Sequence, residues 1–225
     1  MRSMAACALT VLAVATTLAG CNRVYSTSAL FSPADGAGAP ILRPGLWTSS
    51  DPKCRFNEAR PVQRWPGCAG WMLIRPGQVL NLDQGQDKAE WAATDYVLAR
   101  GDPLVLQTRG HGPDDDAFLY YGLAPVRFDA EMQVVELEAW PALCGPPPPS
   151  PPKHRPAKQP AAAADSQERS VTLEPLSGLE VDTNRPTHSQ DCLARQPGPV
   201  RASAAASRVW SGEPTSLHWV RDTLP

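Results

Sequence analysis

Between about Trp71 and Trp140 the apolar positions recur with a period of two, and this pattern predicts a β-rich fold. Trp71–Ile74 and Val79–Leu82 flank Pro76-Gly77, while Tyr96–Ala99 and Leu104–Thr108 flank Arg100-Gly101-Asp102-Pro103. Phe118–Leu123 is a further apolar run. Val126, Phe128 and Ala130 alternate with Arg127 and Asp129, and Val135, Leu137 and Ala139 alternate with Glu136 and Glu138. Such alternation sets one face of a strand on a core and the other in water, as in antiparallel sheets. Turn signals at short intervals predict an antiparallel meander folded into a sandwich or open barrel. The three Pro-Gly dipeptides, Pro44-Gly45, Pro66-Gly67 and Pro76-Gly77, predict type II turns, because proline presets the first central φ and glycine supplies the positive second one.

The pattern changes after Trp140. Pro146–Pro149, Pro151-Pro152 and the alanines that follow form a Pro/Ala-rich loop at about 145–166. Its prolines cannot donate ladder hydrogen bonds and favour polyproline II. Val171–Leu173 and Leu179–Val181 are short strand candidates. From Pro199, the positions Ala202, Ala205, Ala206, Val209 and Trp210 recur at helical spacing and predict one C-terminal helix with an alanine-rich buried face. Leu217 and Trp219 predict a last strand. The fold class expected is therefore mostly β with one C-terminal helix, in a single domain over 41–225.

The beginning of the chain reads differently. Arg2 is followed by an uncharged stretch from Ala5 to Leu18, and Leu18-Ala19-Gly20-Cys21 closes it. This stretch is shorter than the ~20 apolar residues that span a bilayer. With small residues before the break, it has the parts of an export signal. Leu18-Ala19-Gly20-Cys21 resembles the lipobox of bacterial lipoproteins. The resemblance implies removal of residues 1–20 and lipidation of Cys21, with palmitate among the acyl chains. The protein would then be held in the cell envelope facing the periplasm, and Asn22 after the cysteine favours the outer over the inner membrane. Residues 21–40, rich in Ser, Ala, Gly and Asp, read as a flexible tether. A random coil of ~17 residues would span about 20–25 Å.

With 21 Lys+Arg against 23 Asp+Glu, the chain has no basic excess with which to neutralise phosphates, so nucleic acid is not an expected partner. Once Cys7 leaves with the signal and Cys21 is modified, Cys54, Cys68, Cys144 and Cys192 remain in an oxidising compartment where disulfides persist. The pairing Cys54–Cys68 and Cys144–Cys192 is expected, since each pair brackets a turn-rich or proline-rich excursion. Loop-closure entropy assigns about 3 kcal/mol to the first and about 4 kcal/mol to the second. A four-cysteine zinc site would call for C-x₂-C spacing, which is missing.

Candidate chemistry is sparse. His111-Gly112-Pro113-Asp114-Asp115-Asp116 is the densest polar cluster, but it lacks the alternate-residue spacing of an EF-hand and reads as hairpin-loop chemistry. His154, His188 and His218 are scattered, and no nucleophile motif accompanies them. The seven tryptophans read as core staples, with Trp65 and Trp71 bracketing Cys68. Arg100-Gly101-Asp102 reads as turn chemistry and the prolines after Pro146 as a spacer. No catalytic residue, metal or cofactor is assigned. The expectation is a membrane-anchored envelope lipoprotein with a non-enzymatic binding or structural role, its partner an envelope protein or the cell wall. The alternatives are an envelope hydrolase using residues such as His111 and His218, or a periplasmic carrier of an apolar ligand inside a barrel.

Overall fold

The computed structural model describes residues 22–49, 53–84, 89–110, 116–146, 174–182 and 191–222. Its strands are β1 (Val24–Ser26), β2 (Gly45–Ser49), β3 (Trp71–Arg75), β4 (Gln78–Gln84), β5 (Ala89–Ala99) and β6 (Leu104–Arg109). They continue with β7 (Phe118–Phe128), β8 (Val134–Pro141), β9 (Leu179–Val181), β10 (Cys192–Ala194) and β11 (Thr215–Arg221). One helix, α1 (Pro197–Trp210), precedes β11. The sheet runs β6-β5-β4-β3-β2-β11-β8-β7, and β6 pairs again with β7. That second pairing closes an eight-stranded antiparallel barrel, which decides between the sandwich and the barrel. On the far side of β7 the row continues as β1-β10-β9, with β1 and β10 parallel.

The period of two has its cause in the barrel wall. Trp47, Met72, Ile74, Leu104, Leu106, Leu123, Leu137, Ala139 and Leu217 point inward from six strands of the cylinder and pack into one apolar cluster. One end is capped by Arg43, whose guanidinium lies 3.9 Å from the ring centre of Trp219 and pairs with Asp129 at 3.0 Å. A second core lies outside the cylinder, where α1 and the β1-β10-β9 extension cover β7 and β8. Val24, Tyr120, Cys144, Cys192, Val200 and Ala204 belong to it. A third cluster forms where residues 53–70 fold over β2 and β3, with Leu46, Val62 and Trp65 buried. Cys54 and Cys68 stand at disulfide distance within it, with Cα atoms 5.7 Å apart. Cys144 and Cys192 do the same in the second core, with Cα atoms 5.6 Å apart.

Several expectations are corrected. Residues 22–40 are not a tether over the described span: Val24 and Tyr25 enter the sheet, Phe31 is buried, and Pro33–Gly36 forms a 3-10 turn against β5. Backbone bonds to β10 and the 142–144 stretch hold this segment, and local hydrophobic period has no part in it. The helix buries Val200, Ser203, Ala204 and Ser207, whereas Val209 is 83% exposed. Serines occupy the inner face because Ser203 donates to the Leu143 carbonyl at 2.7 Å while Ser207 accepts from the Leu143 N–H at 2.8 Å. β7 is one strand running through Pro125, with register shifts around it. Only Gly77 makes the expected Pro-Gly turn geometry, at φ 75°; Gly45 opens β2 at φ 130°, and Gly67 takes no positive φ. The candidate strand Val171–Leu173 lies outside the described residues.

The end of the β7–β8 hairpin carries an unusual surface. Val126 and Phe128, expected inside, are 54% and 41% exposed. Met132 is 70% exposed and sits at φ 59°, in the left-handed region that a side chain disfavours. Asp129 sets this turn, its carboxylate accepting the N–H groups of Glu131 and Gln133.

Candidate functional site

Apolar side chains pack inside the barrel, and the candidate site lies on its outer wall. A groove of about 500 Å³ runs there between the Ala29–Asp35 segment and the outer faces of β5, β6 and the start of β7. Its back wall is built around Gln107 on β6, which is 3% exposed. The Gln107 Oε1 accepts the N–H groups of Leu30 at 2.8 Å and Phe31 at 2.9 Å, while Nε2 donates to the Phe31 carbonyl at 2.9 Å. One side chain thus does the work of a neighbouring strand and pins the N-terminal segment across the wall.

Cross-strand register supplies the rest. Val97 pairs with Gln107 and Gln107 with Tyr120, forming one row. One step along the wall, Arg109 pairs with Phe118. The Arg109 guanidinium lies 5.2 Å from the Phe118 ring centre, an arrangement in which the ring face favours the cation. Phe31 packs edge-on to Tyr120, with ring centres 6.0 Å apart. Burial pushes the Tyr120 phenol up to about 12, against the partial relief of its hydrogen bond with Ser26.

The lip of the groove is charged. Asp35 and Asp95 border it on the acidic side and Arg109 on the basic side. The Asp35 carboxyl is held below the ordinary carboxylate range by the Ser32 backbone N–H and then the Ser32 hydroxyl. It is therefore an anion across the physiological range. Apolar rings with a few convergent polar groups are the ordinary make-up of a binding groove.

The residues singled out from the sequence are distributed otherwise. Cys21, His111, Asp114, Asp115, His154 and His188 lie outside the described residues, and Asp116 is exposed beside that gap. His218 stands on the outer wall of β11, where its Nε2 is 2.8 Å from Glu58 Oε1. Arg221 donates to the carbonyls of Glu58 and Arg60, so this corner ties the 53–70 segment to the barrel. Thr48, paired with His218 across the sheet, gives its hydroxyl to Gly70 at 2.7 Å and does not present it to the imidazole.

Three of the seven tryptophans are buried staples. Trp47 and Trp140 are buried, and their indole N–H groups donate to Arg43 and Ala204. Trp65 donates to Arg60 beside Cys54–Cys68 and packs on Phe56.

Among the described residues, no group of three His, Cys, Asp or Glu side chains is placed to hold a metal ion. No described helix is long and apolar enough to cross a membrane. Sequence reasoning missed Gln107, Arg109 and Phe31. A glutamine directly after Leu104, Val105 and Leu106 was the one available signal. The chain matches no protein-family model, and no curated protein or solved structure matches it.

Proposed function

We propose that this protein is an envelope lipoprotein, held by acyl chains on Cys21, whose barrel is a non-enzymatic binding module. The groove bounded by Phe31, Val97, Gln107, Arg109 and Phe118 is the observation that supports this reading. Gln107 ties the Leu30–Phe31 segment to its wall, and its lip offers both signs of charge. A barrel core made of Trp47, Met72, Leu106 and Leu137 speaks for contact on the outside and against an apolar cargo within. The partner is an envelope protein or a cell-wall component that presents an apolar group flanked by an acid for Arg109.

In-cell photo-crosslinking tests the groove. A photoreactive residue at exposed Asp95 should give a specific adduct, and one at exposed Glu213 should not. The adduct should disappear with Arg109→Glu. Equal labelling at both positions, or none at Asp95, would sink the groove as a binding site. Anchoring has its own readout: Cys21→Ser should release the protein from the membrane fraction and remove the acyl mass from the mature N-terminus.

A further inference from the structure

The residue directly after Cys21 is already part of the fold. Asn22 is 5% exposed, donates its side-chain amide to the Gly145 carbonyl at 3.1 Å, and accepts the Cys144 N–H at 2.9 Å. Arg23 donates its N–H to the Asp191 carboxylate at 2.8 Å and accepts the Cys192 N–H at 2.9 Å. Val24 is fully buried and donates to Ala142. Three consecutive residues are thus stitched to two separate stretches of the chain, 142–145 and 191–192. Successive Cα atoms are 3.8 Å apart, so acyl chains carried on Cys21 are tied to the fold through a single residue.

We infer that the lipid anchor has no leash, and that the bilayer is itself a partner of the wall around Asn22, Gly145 and Pro146. This rests on the anchoring reading given above and goes beyond it by fixing which face meets the lipid. Acyl chains inserted in a bilayer cannot be separated from Asn22 by more than the cysteine that carries them. A coil of 17 residues would have allowed the barrel to tumble about 20–25 Å off the surface. With none, the wall beside the Cys144–Cys192 pair rests on the headgroups, and the barrel keeps one orientation. The groove is bound by the same geometry. Leu30 is eight residues from Asn22, a reach of at most about 28 Å at full extension. Its partner is met close to the membrane.

Fluorescence quenching on the full, acylated protein in phosphatidylethanolamine/phosphatidylglycerol nanodiscs tests this. A fluorescent amino acid is placed at exposed Pro146 or at exposed Glu131 in the β7–β8 turn, with nitroxide on the lipid headgroups as quencher. Quenching should be several-fold stronger at Pro146. It should collapse when a ten-residue Asn-Gly-Ser spacer is inserted between Cys21 and Asn22. Equal quenching at the two positions, or a Pro146 signal indifferent to the spacer, overturns the inference when the N-terminal mass shows acylated Cys21. A mass without acyl chains instead overturns the anchoring reading, and this inference with it.

Discussion

The indole of Trp140 lies flat against the backbone of Gly122, its cross-strand partner in the barrel wall. A Cβ at Gly122 would sit 2.4 Å from the indole nitrogen and 2.5 Å from a ring carbon. The same nitrogen donates to Ala204 in α1 at 2.7 Å. The missing side chain on β7 is therefore what lets the helix dock on the sheet. Gly122→Ala should cost about 1–3 kcal/mol, the usual range for overpacking a core. Gly67→Ala, where a Cβ meets nothing within 4 Å, should be neutral. Urea denaturation of the two variants checks the contrast, and equal midpoints would refute it.

Gln107→Leu should remove about 2–4 kcal/mol. It strands the buried N–H groups of Leu30 and Phe31, each of which carries a desolvation penalty of about 1–3 kcal/mol. The loss should be local as well as global: hydrogen exchange should accelerate over residues 29–36 before the barrel strands respond. Uniform acceleration across the barrel would show that the segment is not held by this side chain.

Stability should fall in alkali through Tyr120. Its folded-state value, raised from 10.0 to about 12 by burial, favours the neutral phenol in the folded chain. The contribution is fully present below pH 10.0, where both states are neutral, and is lost as pH rises toward about 12. Tyr120→Phe should start less stable, having lost the Ser26 hydrogen bond, and should show a flatter decline above pH 10. Thermal melts across pH 8 to 12 would show an unchanged slope if another group were responsible.

Met132→Gly should stabilise the chain by about 1 kcal/mol. Relief of the left-handed conformation exceeds the entropy that glycine adds to the unfolded state. Met132→Val should do the reverse, since branching at Cβ worsens the same strain. Denaturant midpoints displaced in opposite directions are the expected result.

Legibility in the sequence followed burial on two faces. The alternation is clearest along Val135–Ala139 of β8, where Glu136 and Glu138 are half-buried between buried neighbours, while β6 and the first half of β7 were readable as apolar runs. β2 was not, since residues 53–70 cover its outer face and four consecutive residues, Gly45–Thr48, are buried. The N-terminal segment was misread for a related reason. It is held by long-range bonds to Gln107, Asp191 and Cys144, whereas its own composition is small and polar. On α1, the expected face of Ala202, Ala205, Ala206, Val209 and Trp210 is rotated from the buried one, which includes Ser203 and Ser207. Their hydroxyls are satisfied by Leu143 and the preceding turn, which is what allows them inside. The groove was illegible because it depends on which residues of β5, β6 and β7 stand level, and register is not written in any one strand. The two cysteine pairs were legible, because sequence separations of 14 and 48 enclose recognisable excursions.

Closure of β6 onto β7 has a consequence for life among crowded neighbours. Every strand of the cylinder has a partner on each side over part of its length, so the closed wall contains no edge strand among the described residues. The row ends at β9, which is three residues long and flanked by the Glu180–Arg195 ion pair. Short and charged is the usual way a strand is made a poor template for aggregation.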